Sequence, residues 1–411
     1  MPYGGQASRQ SYRQLYVSHI SLTNFRSYRQ VDLELGTGTT VLAGPNGVGK
    51  TNIAEALGYL ASLSSHRVSN DAPLIHFGAD QALVRARIHR AQQAVGLELE
   101  ITAGKTNRAR INRANPVRAR EITGIVRTVL FAPEDLALVK GDPSERRRYI
   151  DETLVAFQPH QAATKSDYDR VLKQRNALLK SARSAGRLST SHEATLSVWD
   201  QHLAAAGSKL LRGRLDILDA LQGHLSDAYA GLTDGSKAAV ATYSSSIAGG
   251  SEAEDGTLKG NGAASALDGR ALVDMDEGEL HAMFLGALEA QRNRELDRGL
   301  TLVGPHRDDL VLWLGTAPAK GYASHGETWS LALSLRLAVY RAFCQDDPRP
   351  GAKPILILDD VFAELDVSRR RKLAHVVADA EQVIVTAAVV DDVPEELQGR
   401  ILTVGPGTVS A

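Results

Sequence analysis

Residues 44–51, with the sequence GPNGVGKT, have the types and spacing of a loop that binds phosphate. Glycines let backbone N–H groups curve around an anion without clashes from Cβ atoms. In such a loop Lys50 neutralises the β- and γ-phosphates of a nucleotide, and the Thr51 hydroxyl ligates Mg²⁺. The residues expected to bind ATP are Gly44, Pro45, Asn46, Gly47, Val48, Gly49, Lys50, Thr51 and the adjoining Asn52.

A pair of carboxylates far along the chain can complete such a site. Four aliphatic residues, 355–358, deliver Asp359 and Asp360 to the end of a predicted strand, where ligands collect in an open α/β sheet. Asp359 suits Mg²⁺, held directly or through water, and Asp360 suits the orientation or deprotonation of the water that attacks the γ-phosphate. We therefore predict both as catalytic residues, with Mg²⁺ held by Thr51 and Asp359. Taken alone, the segment also fits a buried strand that ends in a solvated acidic turn.

The segment SHGE, residues 324–327, precedes a predicted helix rich in Leu and Ala. Read locally, Ser324 is the N-cap of that helix. Alternatively, Ser324, Gly326 and the helix N-terminus donate to a phosphate, because the positive end of the helix dipole attracts anions. The long separation of Lys50 from Asp359, 359 − 50 = 309 residues, favours the second interpretation, since an arm-like region lies between two halves of one site.

Strands and helices alternate at both ends of the chain and would position these residues. Residues 15–43 contain short runs rich in Val, Leu and Thr, the last leading into the glycine loop, and apolar residues recur at helical spacing from 51 to 63. Strand and helix patterns resume after residue 299, which predicts a mostly parallel sheet covered by helices. Alternating segments between 82 and 131 predict an added antiparallel layer.

The middle of the chain has a different character. Long helical patterns begin after residue 143, and apolar residues between 196 and 210 repeat in steps of three and four, like a coiled-coil seam. A glycine-rich, small and acidic stretch over 232–270 interrupts them and cannot bury enough apolar surface to become ordered. The sequence therefore predicts a helical arm that carries a flexible insert.

Bulk composition excludes several classes of protein. The 411 residues are 43% hydrophobic and 23% charged, and no run reaches the roughly 18 apolar residues of a membrane span. The polar N-terminus lacks the apolar segment of a secretory signal, and Cys344 is the only cysteine, which excludes internal disulfides and thiolate metal clusters. We expect a cytoplasmic protein of two or three domains.

A cluster of cations is the candidate DNA-binding surface. The net charge of −1 gives no global attraction to nucleic acid, so contact would depend on local patches. Six cations without an intervening carboxylate suit sequence-independent, salt-dependent contact with phosphates. A solvated hairpin face is the alternative interpretation. These residues are Lys105, Arg108, Arg110, Arg113, Arg118 and Arg120.

Several motifs in unbroken order resemble the ABC-type ATPase heads of the SMC superfamily, with SHGE as the signature motif. More closely they resemble the RecF family of bacterial recombination-mediator ATPases, over nearly the whole chain from Leu15 onward. The motifs are LTNFRSY (22–28), GPNGVGKTN (44–52), SSHR (64–67), FAPEDLALVKGDPSERRRYIDE (131–152), GPHRDD (304–309), SHGE (324–327) and LDDVFAELD (358–366).

The resemblance implies an α/β fold: an ABC-type P-loop ATPase head with an added antiparallel β layer, plus an α-helical arm domain. Residues 1–14 are then a flexible tail, and 15–142 form the N-terminal half of the head. Residues 143–300 form the arm with its insert near 232–270, and 301–411 form the C-terminal half of the head.

The resemblance also implies a head-to-head dimer in which ATP joins two chains. Nucleotide bound to Lys50 and Asp359 of one protomer would meet the signature residues Ser324, Gly326 and Glu327 of the other. Asp366 resembles the D-loop residue that crosses the same interface. Arg26 resembles an arginine that approaches the nucleotide phosphates, and an ordinary exposed turn arginine is its alternative.

As a function, the resemblance implies ATP-dependent DNA binding in recombinational repair, replication and the SOS response. The chain would dimerise on DNA at gaps or junctions and assist recombinase loading with RecR and RecO, and indirectly RecA. It would be a weak, DNA-stimulated ATPase with ATP and Mg²⁺ as cofactors.

The sequence departs from the usual ABC pattern at three places. Thr386 stands where many ABC proteins have a switch histidine, Asp360 replaces the usual catalytic Glu, and no glutamine is evident near residues 131–136. These departures are consistent with slow hydrolysis that times a switch.

Three rival functions fit the sequence less well, and the SMC-like one is kept as the alternative. A transporter's nucleotide-binding subunit would lack the long arm, and an SMC-like chromosome-structural ATPase would need a far longer one. A P-loop nuclease fusion would need a further cluster of carboxylates, and residues after 386 offer only a few near one turn.

Overall fold

The computed structural model of the chain describes residues 15–90, 93–185, 190–233, 235, 237–249, 271–349 and 351–410. The predicted tail over 1–14 lies outside these residues, as do residues 234, 236 and 250–270 of the predicted insert. The chain divides into two compact units. Unit 1 comprises Met1–Leu136, Asp227–Ser236 and His325–Ala411, and unit 2 comprises Ala137–Ser226 and Lys237–Ser324.

Unit 1 contains the strands that surround the predicted nucleotide site. Its strands are β1 (Leu15–Phe25), β2 (Tyr28–Glu34), β3 (Gly38–Ala43), β4 (Gln81–Arg90), β5 (Gln93–Thr102), β6 (Arg108–Ile111), β7 (Val117–Arg118), β8 (Thr128–Phe131), β12 (Ile355–Asp359), β13 (Gln382–Ala387), β14 (Arg400–Gly405) and β15 (Thr408–Ser410). Its helices include α1 (Lys50–Ser62), α8 (His325–Asp346) and α9 (Val367–Val377).

Unit 2 is largely helical and has a small sheet. Its helices include α2 (Leu136–Lys140, of which Leu136 belongs to unit 1), α3 (Pro143–Phe157), α4 (Gln161–Ser184), α5 (Thr190–Leu232, of which 227–232 belong to unit 1), α6 (Glu277–Arg298) and the short α7 (Ala319–Tyr322). Its strands β9 (Ala239–Ser244), β10 (Asp309–Leu314) and β11 (Ala317–Pro318) form an antiparallel sheet in the order β11-β10-β9.

The central sheet of unit 1 has the strand order β15-β14-β3-β13-β12-β8. Its strands are parallel except for β15, which pairs antiparallel with β14. Every residue of β12 and of β13 is buried, because both faces of a parallel sheet are covered and its strands become continuous apolar runs. The carboxyl ends of β3, β13 and β12 therefore lie along one edge of the sheet.

The added antiparallel layer predicted from the sequence is present in unit 1. Its strand order is β2-β1-β4-β5-β6-β7, so β1 and β2 join it as well. Buried and more exposed positions alternate along β4, as expected for a sheet with one face on the core. That face packs on α1 and on apolar residues of β12 and β13, which together form one hydrophobic core.

Part of the predicted flexible insert is ordered. Residues Ala239–Ser244 form β9, whose full length pairs with β10, and their burial alternates along the strand. The sequence AVATYS has β-branched and aromatic residues that favour a strand, but the glycine-rich stretch beyond it dominated the composition on which the prediction depended. Residues 301–324, assigned to the head from sequence, belong to unit 2.

Unit 2 buries charged side chains in complete networks. The guanidinium of Arg175 donates to Asp200 at 2.7 Å, to Glu295 at 2.6 Å and to the Thr301 hydroxyl at 2.8 Å. Although the pairing lowers it, burial leaves the pKa of Glu295 above its ordinary value. These bonds join α4, α5 and α6, so the charges tie the helices together.

A second buried network of unit 2 surrounds the GPHRDD segment. The Asp308 carboxylate accepts from the Tyr243 hydroxyl at 3.0 Å and from the Ser246 backbone N–H at 2.7 Å. The Tyr168 hydroxyl lies 2.7 Å from His306 Nδ1, and His306 Nε2 lies 3.2 Å from the Thr301 carbonyl. Burial lowers the pKa of His306 to about 3, so the ring is neutral.

Helices of the described residues are too short or too polar to cross a membrane.

Candidate nucleotide-binding site

The glycine loop connects β3 to α1, as the sequence predicts. Gly47 has φ +85° and Gly49 has φ +117°, conformations that favour glycine. A Cβ atom on Gly49 would also lie 2.7 Å from the hydroxyl of Tyr28, whose ring is buried beneath the loop. Burial raises the pKa of Tyr28 to about 12, and its hydroxyl has no hydrogen-bond partner among the described residues. The loop therefore needs glycine here for both conformation and space.

Lys50 is held by the loop that precedes it. Its side chain is buried, and Nζ donates to the carbonyl oxygens of Gly44 at 2.7 Å and Pro45 at 3.0 Å, with Asn46 Oδ1 at 3.4 Å. These contacts fix the ammonium in the curve of the loop. A phosphate that enters this curve meets a cation that is already in position.

Thr51 and Asp359 come together across the carboxyl edge of the sheet. The Thr51 hydroxyl donates to Asp359 Oδ1 at 3.1 Å, although the two residues are 308 positions apart. Strand β13 lies between β3 and β12, and Thr386 near its end donates to the same Oδ1 at 2.6 Å. Burial raises the pKa of Asp359 to about 6, the hydrogen bonds opposing this shift. The oxygens of Thr51 and Asp359 therefore lie close enough to bind one cation together.

Oxygen ligands of this kind fit Mg²⁺. Protein sites for Mg²⁺ use one or two carboxylates, and substrate phosphates and water complete the octahedron. Among the described residues no group of three or more His, Cys, Asp or Glu side chains has the arrangement of a complete metal cage. Thr51 and Asp359 would thus supply the protein ligands of an ion that a nucleotide completes.

Asp360 has an uncommon backbone conformation at the same edge. Its φ is +50°, and its N–H donates to the Thr386 hydroxyl at 2.9 Å. Burial raises the pKa of Asp360, while the nearby charge of Lys50 opposes the rise. Thr386 therefore holds both residues: its one hydroxyl proton goes to the Asp359 carboxylate, and its oxygen accepts from the Asp360 backbone N–H.

Arg26 contacts the protein at a buried carboxylate that sequence reasoning missed. Its guanidinium donates to Glu55 of α1 at 2.8 and 2.5 Å, and the Ser65 hydroxyl donates to the same carboxylate at 2.5 Å. Burial alone would raise the pKa of Glu55, but these bonds and the charge of Arg26 lower it. A lone carboxylate on the apolar face of α1 was the available signal. The predicted approach of Arg26 to phosphate stays a prediction.

The residues after α1 fold back along the same helix. Arg67 donates from Nη1 to Asn52 at 3.0 Å and lies 3.5 Å from Glu55. His66 Nε2 lies 3.9 Å from Asp359 Oδ2. Burial lowers the pKa of His66 to about 4, so this contact joins a neutral ring to the carboxylate and is not an ion pair at neutral pH.

The signature residues are divided between the two units. Ser324 is exposed and ends unit 2, whereas Gly326 and Glu327 lie in the first turn of α8 in unit 1. The three atoms closest to a Cβ built on Gly326 all belong to Arg369, the nearest at 2.9 Å. Arg369 also donates to Ser330 of α8 at 3.0 Å.

Asp366, the predicted D-loop residue, is exposed at the start of α9. Its side chain caps this helix by accepting from the Arg369 backbone N–H at 2.9 Å, and it pairs with the Arg369 guanidinium. Arg369 therefore links the D-loop residue to Gly326 and Ser330 within unit 1. Sequence reasoning missed this link, because nothing in the spacing joins the two segments.

The six predicted cations are exposed on the edge of the antiparallel layer. Arg108 and Arg118 are opposite each other on β6 and β7, so their charges share one face. Strand register also brings carboxylates close: Glu98 of β5 is opposite Arg110, whose Nε lies 3.5 Å from its Oε1. No acidic residue lies between 105 and 120, but the folded surface has carboxylates from β5 beside these cations.

Comparison with known proteins places the chain in a family. A family model described as the RecF/RecN/SMC N terminal domain matches residues 16–396. The chain is 61% identical over 398 residues to the DNA replication and repair protein RecF of Paenarthrobacter aurescens (strain TC1), covering 96% of this chain and 99% of the relative. It is 51% identical over 399 residues to the protein of the same name from Streptomyces avermitilis, covering 96% of this chain and 99% of the relative.

Solved structures agree on the fold. A structure of the recombination mediator protein RecF-ATP in the RecFOR pathway superimposes with a TM-score of 0.81 at 24% identity, covering 97% of this chain and 98% of that chain. The Smc head domain of Pyrococcus furiosus superimposes with a TM-score of 0.50 at 16% identity, covering 97% of this chain and 96% of that chain.

The chain therefore belongs to the RecF family of DNA replication and repair proteins. Its fold is the ABC-type ATPase head with an added antiparallel layer and a helical part, as the sequence predicts.

Proposed function

We propose that this member of the RecF family is an ATP-dependent DNA-binding protein of recombinational repair, with roles in DNA replication and SOS induction. The observation that carries the proposal is the meeting of Thr51 and Asp359 at the mouth of the glycine loop. The near relatives named RecF and the RecF-ATP structure support it.

In the proposed site the glycine loop and Lys50 bind the phosphates of ATP. Mg²⁺, held by Thr51 and Asp359, would neutralise charge that develops on the phosphates. Asp360 would orient the attacking water or accept its proton. Its carboxylate has one methylene fewer than the usual glutamate, and Thr386 holds its backbone, so its reach toward the water is short. Slow hydrolysis follows from that geometry.

The nucleotide would act between two copies of the chain. Ser324, Gly326 and Glu327 of one protomer would donate to the phosphates bound by the other, as the exposure of Ser324 allows. Asp366, which is exposed as well, would lie in the same interface. ATP then closes the dimer on DNA, and hydrolysis reopens it.

The exposed cations of β6, β7 and their turns are the proposed DNA contact. Contact there would be with phosphates, because the cluster offers no aromatic side chains for base stacking. Glu98 and Glu100 lie opposite Arg110 and Arg108 in register, so we assign the larger part of the binding to the cations outside these pairs. The cations outside them are Lys105, Arg113, Arg118 and Arg120.

In cells we propose a cytoplasmic protein that works at gaps or junctions, single-stranded or duplex, with RecR- and RecO-type mediators and indirectly with RecA. The solved RecF-ATP structure is described as part of the RecFOR pathway, which supports this assignment. An SMC-like chromosome-structural ATPase is the alternative function, which the family model leaves open.

The mass of the protein in solution tests the proposal. Wild type, Lys50→Met and Ser324→Arg are compared by size exclusion with light scattering, with and without ATP–Mg²⁺ and with DNA. We expect wild type to dimerise only with ATP and both variants to stay monomeric. Ser324→Arg should still bind ATP as a monomer, which separates loss of the dimer from loss of the nucleotide. A dimer that forms equally without ATP would contradict the mechanism.

A further inference from the structure

His66 has a buried polar atom without a partner beside the nucleotide site. Its side chain is 11% exposed, and Nε2 has no hydrogen-bond partner among the described residues. The closest carboxylate oxygen, Asp359 Oδ2, is 3.9 Å away, which is beyond hydrogen-bond range. Buried polar atoms in folded proteins nearly always have partners, so an atom without one beside a phosphate-binding loop is a candidate for contact with a ligand.

The position of the ring is set by the helix that follows the glycine loop. Leu63, with φ +55°, ends α1 and turns the chain back. The Ser65 hydroxyl donates to Glu55 and accepts from the backbone N–H of Arg67 at 3.0 Å, while Arg67 itself reaches Asn52. The residues on both sides of His66 are thus anchored to α1.

The two oxygens of Asp359 have different surroundings. Oδ1 accepts from Thr51 and from Thr386, whereas Oδ2 faces His66. Thr51 and Asp359 would hold Mg²⁺, and because Oδ1 already accepts two hydrogen bonds, the Oδ2 side would be the one that the terminal phosphate of a bound nucleotide approaches. The imidazole of His66 borders that space.

Thr386 is not available to contact the terminal phosphate. A hydroxyl has one proton, and that of Thr386 is donated to Asp359 while its oxygen accepts from the Asp360 N–H. The Thr386 hydroxyl therefore has no further proton to donate to the phosphate. An imidazole has at least one N–H, which His66 can offer from Nε2.

We propose that His66 is a positioning residue that donates from Nε2 to the terminal phosphate of bound ATP and so distinguishes ATP from ADP. The inference rests on the proposed function, since it requires nucleotide at the glycine loop. ADP leaves Nε2 without a partner, whereas ATP provides an anionic oxygen. The protein would thus bind the triphosphate with a preference that originates in the loop after α1.

A matched pair of substitutions tests the proposal. The amide nitrogen of Gln reaches about as far as Nε2, whereas that of Asn ends near Nδ1, so His66→Gln keeps the donor and His66→Asn removes it. We expect His66→Asn to weaken binding of a non-hydrolysable ATP analogue by about tenfold, which is the contribution of one hydrogen bond to a charged group. Binding of ADP should weaken by less than about twofold. His66→Gln should stay near wild type for both nucleotides. His375→Asn, at an exposed position of α9, is the control.

Fluorescent nucleotide titration and the KM and kcat of hydrolysis give distinct outcomes. Equal loss of ATP and ADP affinity in His66→Asn would mean a structural role, and unchanged affinity for both nucleotides would mean no contact; either result overturns the inference while the proposed function stands. Failure of wild type to bind ATP would instead refute the proposed function. If His66→Asn melts below the assay temperature, His66→Phe, which fills the space without a donor, takes its place under the same criteria.

Discussion

The buried networks of unit 2 and the predicted nucleotide site of unit 1 treat polar groups differently. In unit 2 the buried Arg175 has a partner for each of its three nitrogens, and buried Asp308 accepts from hydroxyls and a backbone N–H. In unit 1, Tyr28 and His66 each have a buried polar atom without a partner among the described residues, and both lie at the predicted nucleotide site. The satisfied groups hold elements together, whereas those at the nucleotide site leave a polar atom that a ligand can contact. Buried polar atoms without a hydrogen-bond partner among the described residues also occur elsewhere, in Asn107, Arg127 and Trp329 of unit 1 and in Gln161 of unit 2.

Loss of the Arg175 guanidinium should give the largest change in stability. In Arg175→Met, Asp200 and Glu295 lose their buried partner, and Glu295 is itself fully buried. We expect the free energy of unfolding of unit 2 to fall by about 3–5 kcal/mol, the usual cost of leaving a buried charge alone. Hydrogen exchange of α4 and α6 amides measures it. A matched control is Arg170→Met on the exposed face of α4, which should cost less than about 0.5 kcal/mol.

An intermediate loss of stability is expected from substitution of Glu55, the buried glutamate of unit 1. Glu55 carries bonds from Arg26 and Ser65, so its surroundings resemble those of Arg175 more than those of His66. We expect Glu55→Gln to lower the free energy of unfolding of unit 1 by about 2 kcal/mol, because one charged pairing is lost while the shape is kept. Urea denaturation of the apo protein measures it. No loss of stability would contradict the role of Glu55 as the anchor of the loop after α1.

Acid should weaken unit 2 through His306. Its folded pKa of about 3 lies below its ordinary value of 6.5, since burial is the largest cause and Arg307, Arg147 and Arg175 add to it. Between these two values the unfolded chain binds a proton that the folded one does not. Stability from this group is therefore complete above about pH 6.5 and falls by up to about 1.4 kcal/mol per pH unit toward pH 3.

The difference between wild type and His306→Gln isolates that slope from the opposing titration of Asp308 and Glu295, whose pKa values burial raises. Denaturation at pH 7.5, 6.0 and 5.0 gives both curves. Parallel curves for the two proteins would show that His306 has the same pKa in the folded and unfolded chains, contrary to its buried environment.

Substitution of Lys50 should give the smallest change in stability, which separates ligand binding in unit 1 from the structural role of the buried charges in unit 2. Its ammonium is held by loop carbonyls and not by a buried carboxylate. We expect Lys50→Met to change the free energy of unfolding by less than about 1 kcal/mol while nucleotide binding is lost. Thermal melting with and without ATP–Mg²⁺ measures both: the apo melting temperatures should coincide, and the shift that ATP gives to wild type should be absent.

Much of the head could be predicted from the sequence because local chemistry fixes it. The glycines of the loop are required by its dihedral angles, and the aliphatic run before Asp359 places that carboxylate at a sheet edge. Parallel strands share that edge, which is why Thr51 and Asp359 could be expected to meet. The order of the strands could not be foreseen, and β13 with Thr386 intervenes between them.

What the sequence could not reveal depends on register and on pairing in space. The link from Arg369 to Gly326, and that from Arg110 to Glu98, join residues whose proximity only the folded chain sets. Strand β9 was missed because six ordinary residues adjoin a long glycine-rich stretch. Local composition predicts a helix or strand well only where that element contributes most of the residues in the stretch of sequence being considered.

The strand order of the central sheet has a consequence for how the protein acquires its shape. Strand β3 pairs with β13 and β14, and β8 pairs with β12, so the sheet joins the first third of the chain to its last fifth. Such distant pairing makes folding slow, and during synthesis β3 and β8 leave the ribosome long before their neighbours exist. Until residues 355–405 emerge, β3 and β8 have no strand of this sheet to pair with. The glycine loop therefore cannot meet Asp359 until residues 355–359 have been synthesised.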